Sequence, residues 1–528
     1  MKELNKGNKK ALIWCASILG GLLLCGCIVN LVAKQQLRSA LANIPGATFS
    51  IDKVHLSLLA GNVELKNVDF SLRDTTDAGP DIAGSVASLK LKHIHWFRLF
   101  KGEAKADKLV IRKPEAQVLL KKQKETQEPD TTQAQESFLK KVALSQLRIE
   151  NGQFALKSQA DSTKVSAQEI NFSLDDIAID LKETAFAFND STYRVSLDSL
   201  DYLDGQALSR IQLAHLATAD AGPIDLRNVH LYNCVPQEQL AVRLGKVAAM
   251  WYDVQLDTVT TSPLNIPRMI NSQRIAIESV GIAGSKAVIL QDDRYPPAVP
   301  YPTIQEGLNT LEWPLHINQI DASFTDFTFI WETTHVNRGA FPMRFVKIGA
   351  QSVSNAPNNV MGVSVKSGRP GHSRMNFSAS IRNDKRESTR GKLQVYDLDA
   401  SKLDSFIGPL FGATARASIH KIDCSFNGDK SQMTNDFCMI YDNLSATASS
   451  DATAPFQLVA KNSGLVNFLA RMILPKANPS APGKEPKRVE VTFKRNPMQP
   501  YPAYLIQNLT NGMLHTVLPG GEVRKTKK

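Results

Sequence analysis

Residues 60–72 read AGNVELKNVDFSL. Val63 and Leu65 fall on one side of an extended chain, the polar pair Lys66-Asn67 follows, and Val68, Phe70 and Leu72 resume the alternation out of phase. A one-residue slip must either flip the strand's faces or insert a bulge that restores them. Restoring them bends the strand while one apolar face stays turned inward, and many such strands side by side form a trough rather than a flat wall. Alternating segments of four to eight residues, rich in Val, Ile, Phe and Thr and broken by Gly, Asn, Asp and Pro, continue from residue 46 to about residue 460. SVASLKLKHIHW, LHINQIDASFTDFTFIW and RGKLQVYDLDA are examples. The apolar offsets of the Val63 segment, with polar residues between them, recur from Val165, Ile224 and Leu315. Chance alone supplies about two such segments in a chain this apolar, so the recurrence is mild support for a repeat.

The ends of the chain set its organisation. Lys2, Lys6, Lys9 and Lys10 precede an uncharged run from Ala11 to Ala33, which at about 1.5 Å per residue is long enough to cross a bilayer. The charge asymmetry puts the N-terminus in the cytoplasm and the bulk outside. The run outlasts the apolar core of a secretory signal and reads as a retained anchor; cleavage, or processing at the lipoprotein-like LCGC of Leu24 to Cys27, are the alternatives. Leu37, Leu41 and Ile44 continue a helix to Pro45-Gly46, so residues 1–45 form a tip, an anchor and a short helical continuation. Residues 46–460 form the β-rich body, with a polar loop at 121–137.

Residues 461–528 carry an apolar helical face from Leu465 to Ile473, a Pro-rich linker, the strand RVEVTFKR and a second amphipathic helix interrupted by Gly512. That last helix has two readings: a cap on the open end of the sheet, or a surface contacting a membrane or outer-membrane partner through Tyr504, Leu505 and Leu509. The net charge of +11 favours anionic surfaces. With the bulk outside the cytoplasm, no nucleic-acid partner is expected.

The anchor, LLAGNVELKNVDFSL, then VASLKLKHIHWFRLFKGEAKADKLVIRKPEAQVLL with its strand, its WFRLF followed by Gly102 and its second strand ending at Pro114, and finally ALSQLRIENGQFAL, together resemble the AsmA-like family of envelope proteins. The resemblance is densest over residues 11–160. It implies a mainly β protein held in the inner membrane: an elongated, curved antiparallel β-sheet groove in the periplasm, with one N-terminal transmembrane helix and C-terminal amphipathic helices. The implied partner is phospholipid moving between inner and outer membranes. The family's other association, with outer-membrane proteins, implies a non-enzymatic assembly or scaffold factor working through protein contacts. In a groove, acyl chains would leave water at about 0.8 kcal/mol per buried methylene. The lining residues would then be Val63, Leu65, Val68, Phe70, Leu315, Ile317, Ile320, Phe327 and Phe329. The same side chains could instead pack on one another in a closed sandwich or barrel, and both readings stay open.

Signs of catalysis are thin. No G-x-S-x-G, H-E-x-x-H, P-loop or dinucleotide fingerprint occurs, and no cofactor, metal or enzymatic activity is expected. His93 and His95 share one face of an expected strand beside Trp96, with no third ligand nearby in sequence, and read as an edge-strand pair. Asp175 and Asp176 project to opposite faces and read as a turn. Beyond the anchor, Cys234, Cys424 and Cys438 admit one Cys424–Cys438 disulfide or free buried thiols.

Overall fold

The computed structural model describes residues 47–57, 60–72, 81–95, 98, 103–120, 141–158, 163–180, 185–187, 193–219, 222–333, 338–368, 373–405, 413–448 and 475–517. The expected anchor and its helical continuation, the expected loop at 121–137 and the helix expected at 463–473 lie outside these residues. Among the described residues, no helix is long and apolar enough to cross a membrane. The protein is mainly β, with 67% of the described residues in strands. It divides into two compact units, residues 1–228 with 263–268, and residues 229–262 with 269–528, a boundary inside the span read from sequence as one body.

In the first unit β1 (Ala47–Ser57), β2 (Asn62–Leu72), β3 (Asp81–Lys92) and β4 (Glu103–Leu119) pair antiparallel in succession. β4 then runs parallel to β5 (Lys141–Lys157), which pairs antiparallel with β6 (Thr163–Asp180). One edge of β6 takes β7 (Ala185–Ala187), β8 (Tyr193–Leu197) and β9 (Ser199–Leu203). β10 (Ser209–Leu213) pairs with β9, β11 (His215–Ala219) pairs with β8, and β12 (Asp225–Asn233) pairs with β11. A short helix, α1 (Gln237–Arg243), follows β12 in the chain.

The second unit runs β13 (Ala249–Thr261), β14 (Ile275–Asp293), β15 (Leu315–Thr333), β16 (Arg338–Ser354), β17 (Val360–Ser367), β18 (Arg374–Arg382), β19 (Thr389–Asp399), β20 (Ala413–Gly428), β21 (Gln432–Ala448) and β22 (Arg488–Lys494), each paired with the next. Every pair is antiparallel except β14–β15. The helices α2 (Ile266–Ser272) and α3 (Ile304–Asn309) lie in connections, and α4 (Tyr501–Val517) follows β22. The two parallel joints, β4–β5 and β14–β15, correct the expectation of a purely antiparallel sheet. Each follows a long connection, as a parallel pair must.

Strands of 17 to 19 residues also correct the expected four to eight. A phase slip does not end these strands; they continue through it. Asn67, at the slip in β2, has φ of 50°, and among the described residues nine further strand positions share that left-handed region: Lys113, Asn151, Glu169, Asp176, Asn228, Phe345, Ser352, Asp397 and Asn443. Asn and Asp tolerate it best because their short side chains hydrogen-bond locally, and they make up most of the set.

These positions line up across the strands. The ladder omits the pairs Asp52 with Asn67, Asn67 with Ala87, Ala87 with Lys113 and Lys113 with Asn151, although the pairs on either side keep their register. A crease therefore crosses the first sheet at right angles to its strands. In the second unit one crease passes through Glu278, Asn318 and Ser352 and another through Ser285, Thr325 and Phe345. Polar side chains replace the missing ladder bonds: Asn67 Nδ2 donates to Asp52 at 3.2 Å and Asn318 Nδ2 to Glu278 at 2.7 Å.

The creases bend the strands of the second unit. Gln291 Nε2, near the end of β14, donates to the Tyr301 hydroxyl, and Gln305 donates to the Ser354 carbonyl at the far end of β16. Four residues reach at most about 14 Å. A flat ladder would separate Gln291 from Ser354 by roughly 50 Å, which that short segment does not bridge, so β14 to β16 arch across their own crossover.

Candidate functional site

Because each slip inserts one residue, the apolar positions on both sides of a crease face the same way. In β15 the phase runs Leu315, Ile317, then Ile320, Ala322, Phe324, then Phe327, Phe329, Trp331, changing at Asn318 and at Thr325. The register carries this face across the whole second sheet. Val259, Ile282, Ala322, Ile348, Val365, Phe377, Leu393, Cys424, Phe437 and Val489 are successive cross-strand neighbours, one from each of ten strands. At about 4.8 Å per step this row is roughly 43 Å long. The neighbouring positions point to the other face and are polar: Ser323, Lys347, Lys366, Asn376, Gln394 and Asp423 form a parallel row, in which Gln394 donates to Asp423 at 3.1 Å.

The apolar row has a covered end and an open end. From Leu393 to Val489 the side chains are buried in a cluster with Met433, Met439 and Tyr441, closed by α4. From Val259 to Phe377 they stay half-buried. Leu308 of α3 covers part of the face near Ile317, Ile320 and Val353. Phe324, Phe327, Phe329, Phe341 and Met343 are half-buried, with Phe324 and Phe327 edge to face at 6.1 Å. Small residues shape this floor. A Cβ on Gly284 would fall 2.5 Å from the Phe324 ring, and one on Gly391 would fall 2.2 Å from Phe426, so each ring lies flat over a glycine of the next strand.

The sequence-derived lining residues therefore separate by unit. Leu315, Ile317, Ile320, Phe327 and Phe329 share the half-buried face of the second sheet. Val63, Leu65 and Val68 are sealed in the first unit's core, with Leu65 only 2% exposed, and Phe70 is half-buried over Gly84. Rows in register also cross the first sheet: Leu56, Val63, Leu91, Leu109, Leu147, Leu174 and Tyr193. That face is packed rather than open, and the Tyr193 hydroxyl donates to the Leu264 carbonyl.

Tyr504 is 1% exposed, inside the cluster beneath α4 against Phe493, so its side chain is not presented to an outside partner. Leu505 and Leu509 pack on the same cluster. Gly512, a weak helix former, sits where a Cβ would come 2.6 Å from the Phe437 ring. Its absence lets α4 settle onto β21.

The polar pairs read differently from their sequence. β3 stops at Lys92, His93 has φ of 52°, and Asp107 of β4 meets both imidazoles, at 3.2 Å from His93 and 3.0 Å from His95. His95 and His93 hold the Asp107 carboxyl below its ordinary range. The carboxylate contacts both rings directly. Among the described residues no group of His, Cys, Asp and Glu is placed to hold a metal. Asp107 was the partner hidden in the sequence, because only the β3–β4 register brings it opposite the histidines. Asp175 and Asp176 lie within β6, not in a turn; Asp175 accepts from Gln146 and Asp176 marks a slip. Cys424 and Cys438 are both free. They alternate to opposite faces, one beside Phe437 in register and the other opposite Asp423, which rules out the bridge considered from sequence.

The chain matches no protein-family model and no curated protein.

Proposed function

We propose that this protein is a non-enzymatic lipid carrier of the bacterial envelope type, a member of the AsmA-like family, in which the apolar face of the second sheet holds acyl chains. The observation that supports this reading is the in-register row from Val259 to Phe377, apolar in every strand yet half-buried. An apolar surface that continuous is expected to take an apolar occupant. Acyl chains match it because they need no directional partner and gain with every methylene withdrawn from water. The headgroup would remain at the polar margin. The reading includes an inner-membrane anchor at Ala11–Ala33 and a periplasmic body.

The test is lipid recovery. Gently purified full-length protein is expected to carry stoichiometric phospholipid in native mass spectrometry, and a photocrosslinking residue at Phe327 or Phe329 to capture it, while one at Leu65 captures none. Lipid-free protein together with no capture at either phenylalanine would overturn the proposal. Capture of protein alone at these positions would favour the scaffold reading instead.

A further inference from the structure

Ten large apolar side chains are exposed among the described residues, and three of them, Val242 at 49%, Leu244 at 38% and Met250 at 51%, fall within nine consecutive positions. A backbone bond ties the end of this stretch to the segment that carries a fourth. The Ala248 amide donates to the Pro296 carbonyl at 3.1 Å, and Val299, the most exposed of all at 68%, follows three residues later. Scattered surface apolar residues need no explanation, but three within nine positions, with a fourth on the segment bonded to them, do.

The turn is rigid. α1 ends in two reversed bonds, Gly245 amide to Val242 carbonyl at 3.1 Å and Lys246 amide to Ala241 carbonyl at 2.8 Å, with both Gly245 and Lys246 in the left-handed region. Leu240 and Ala241 are buried beneath it, which anchors the turn and leaves Val242, Arg243, Leu244 and Lys246 outward. Arg243 and Lys246 are exposed and enter no ion pair among the described residues. Apolar tips flanked by free cations match an anionic bilayer: the tips enter the headgroup boundary while the cations meet phosphates. A stable protein interface buries about 800 Å² on each partner, more than four side-chain tips present.

We infer that the turn Val242–Lys246, with Met250 and Val299, is a docking surface for an anionic phospholipid membrane. This contact is separate from the proposed lipid-holding face, since α1 lies outside the row from Val259 to Val489. It gives the body of the protein a second membrane contact in addition to any N-terminal anchor.

The experiment uses the full chain with its Ala11–Ala33 segment held in a phosphatidylcholine nanodisc, mixed with vesicles of phosphatidylglycerol or of phosphatidylcholine, with empty discs as the control. Co-flotation of loaded discs with phosphatidylglycerol vesicles is expected, and little with phosphatidylcholine. Arg243→Glu with Lys246→Glu should weaken it by at least about 25-fold, from about five-fold for each basic residue removed. Leu244→Asp with Met250→Asp should abolish it, while Tyr202→Asp, at an exposed position elsewhere, leaves it unchanged. An environment-sensitive fluorophore on a cysteine at Leu244→Cys, introduced together with Cys234→Ser so that the other exposed thiol is removed, should shift to the blue on vesicle addition. Unchanged flotation of both double variants, or no spectral shift, would overturn the inference. Because lipid capture at Phe329 is read independently, loss of docking with capture intact refutes only the docking, and the converse refutes only the carrier reading.

Discussion

Ala322 and Ser323 are adjacent residues on opposite faces of β15, which makes them a stringent pair for testing whether acyl chains lie on the apolar row. Ala322 stands between Ile282 and Ile348 in register, half-buried, whereas Ser323 is exposed and faces Lys347. Ala322→Glu sets a carboxylate in the middle of the row. A chain crossing the strands meets each one over about 4.8 Å, roughly four methylenes. Displacing those methylenes forfeits about 3 kcal/mol at ~0.8 kcal/mol each. At 1.4 kcal/mol per factor of ten, affinity should fall about 200-fold. Ser323→Glu, with the same charge one residue away, should change it less than about two-fold, as expected for a solvated surface substitution. Displacement of a fluorescent acyl lipid from the purified full chain, with circular dichroism as the folding control, measures both. Equal affinities for the two variants, with both folded, would refute lipid placement on this face.

The remaining expectations concern the scaffold. Asn67→Val places a β-branched residue at φ of 50° and should lower stability by about 1 to 2 kcal/mol in denaturant titration, while Asn67→Gly stays near wild type. The Arg210 guanidinium, donating from Nε at 2.7 Å, holds the Asp201 carboxyl below its ordinary range. Its contribution is therefore present above about pH 4 and lost as pH falls through the lowered value, so Asp201→Asn should flatten the acid limb of a melting-temperature profile between about pH 5 and pH 2. Burial pushes the Cys424 thiol up to about 12, so a maleimide should label exposed Cys234 in the native protein and reach Cys424 only on unfolding. Reducing agent should leave the melting temperature unchanged.

Alternation and the Lys66-Asn67 slip made the sheet character and the bend legible from residues alone. The length of the strands was not legible, because a left-handed residue and a turn look alike in sequence: Asp175-Asp176 satisfies either, and only the ladder on both sides decides. The parallel β4–β5 joint was hidden for a related reason, since residues 121–137 read as a loop whichever direction the next strand takes. Leu315 to Phe329 were readable as one apolar face. That Val63 to Val68 are sealed while Phe327 and Phe329 are not depends on what lies over each sheet, which local pattern does not encode. The exposed turn was not legible either, because QLAVRLGK has the pattern of an ordinary amphipathic helix end and only the fold leaves Val242 and Leu244 outside.

The creases also give the second sheet a direction of compliance. Along a row such as Val259 to Phe377, displacement would stretch hydrogen bonds in every ladder, so the sheet is stiff in that sense. Across a crease the ladder pairs are already absent and side-chain bonds such as Asn318 to Glu278 stand in their place. Rotation about the two lines would widen or narrow the arch without changing the register of any strand. On the proposed reading, hinges of this kind would fit the arch to thin or bulky acyl chains while its length stays fixed by strand number.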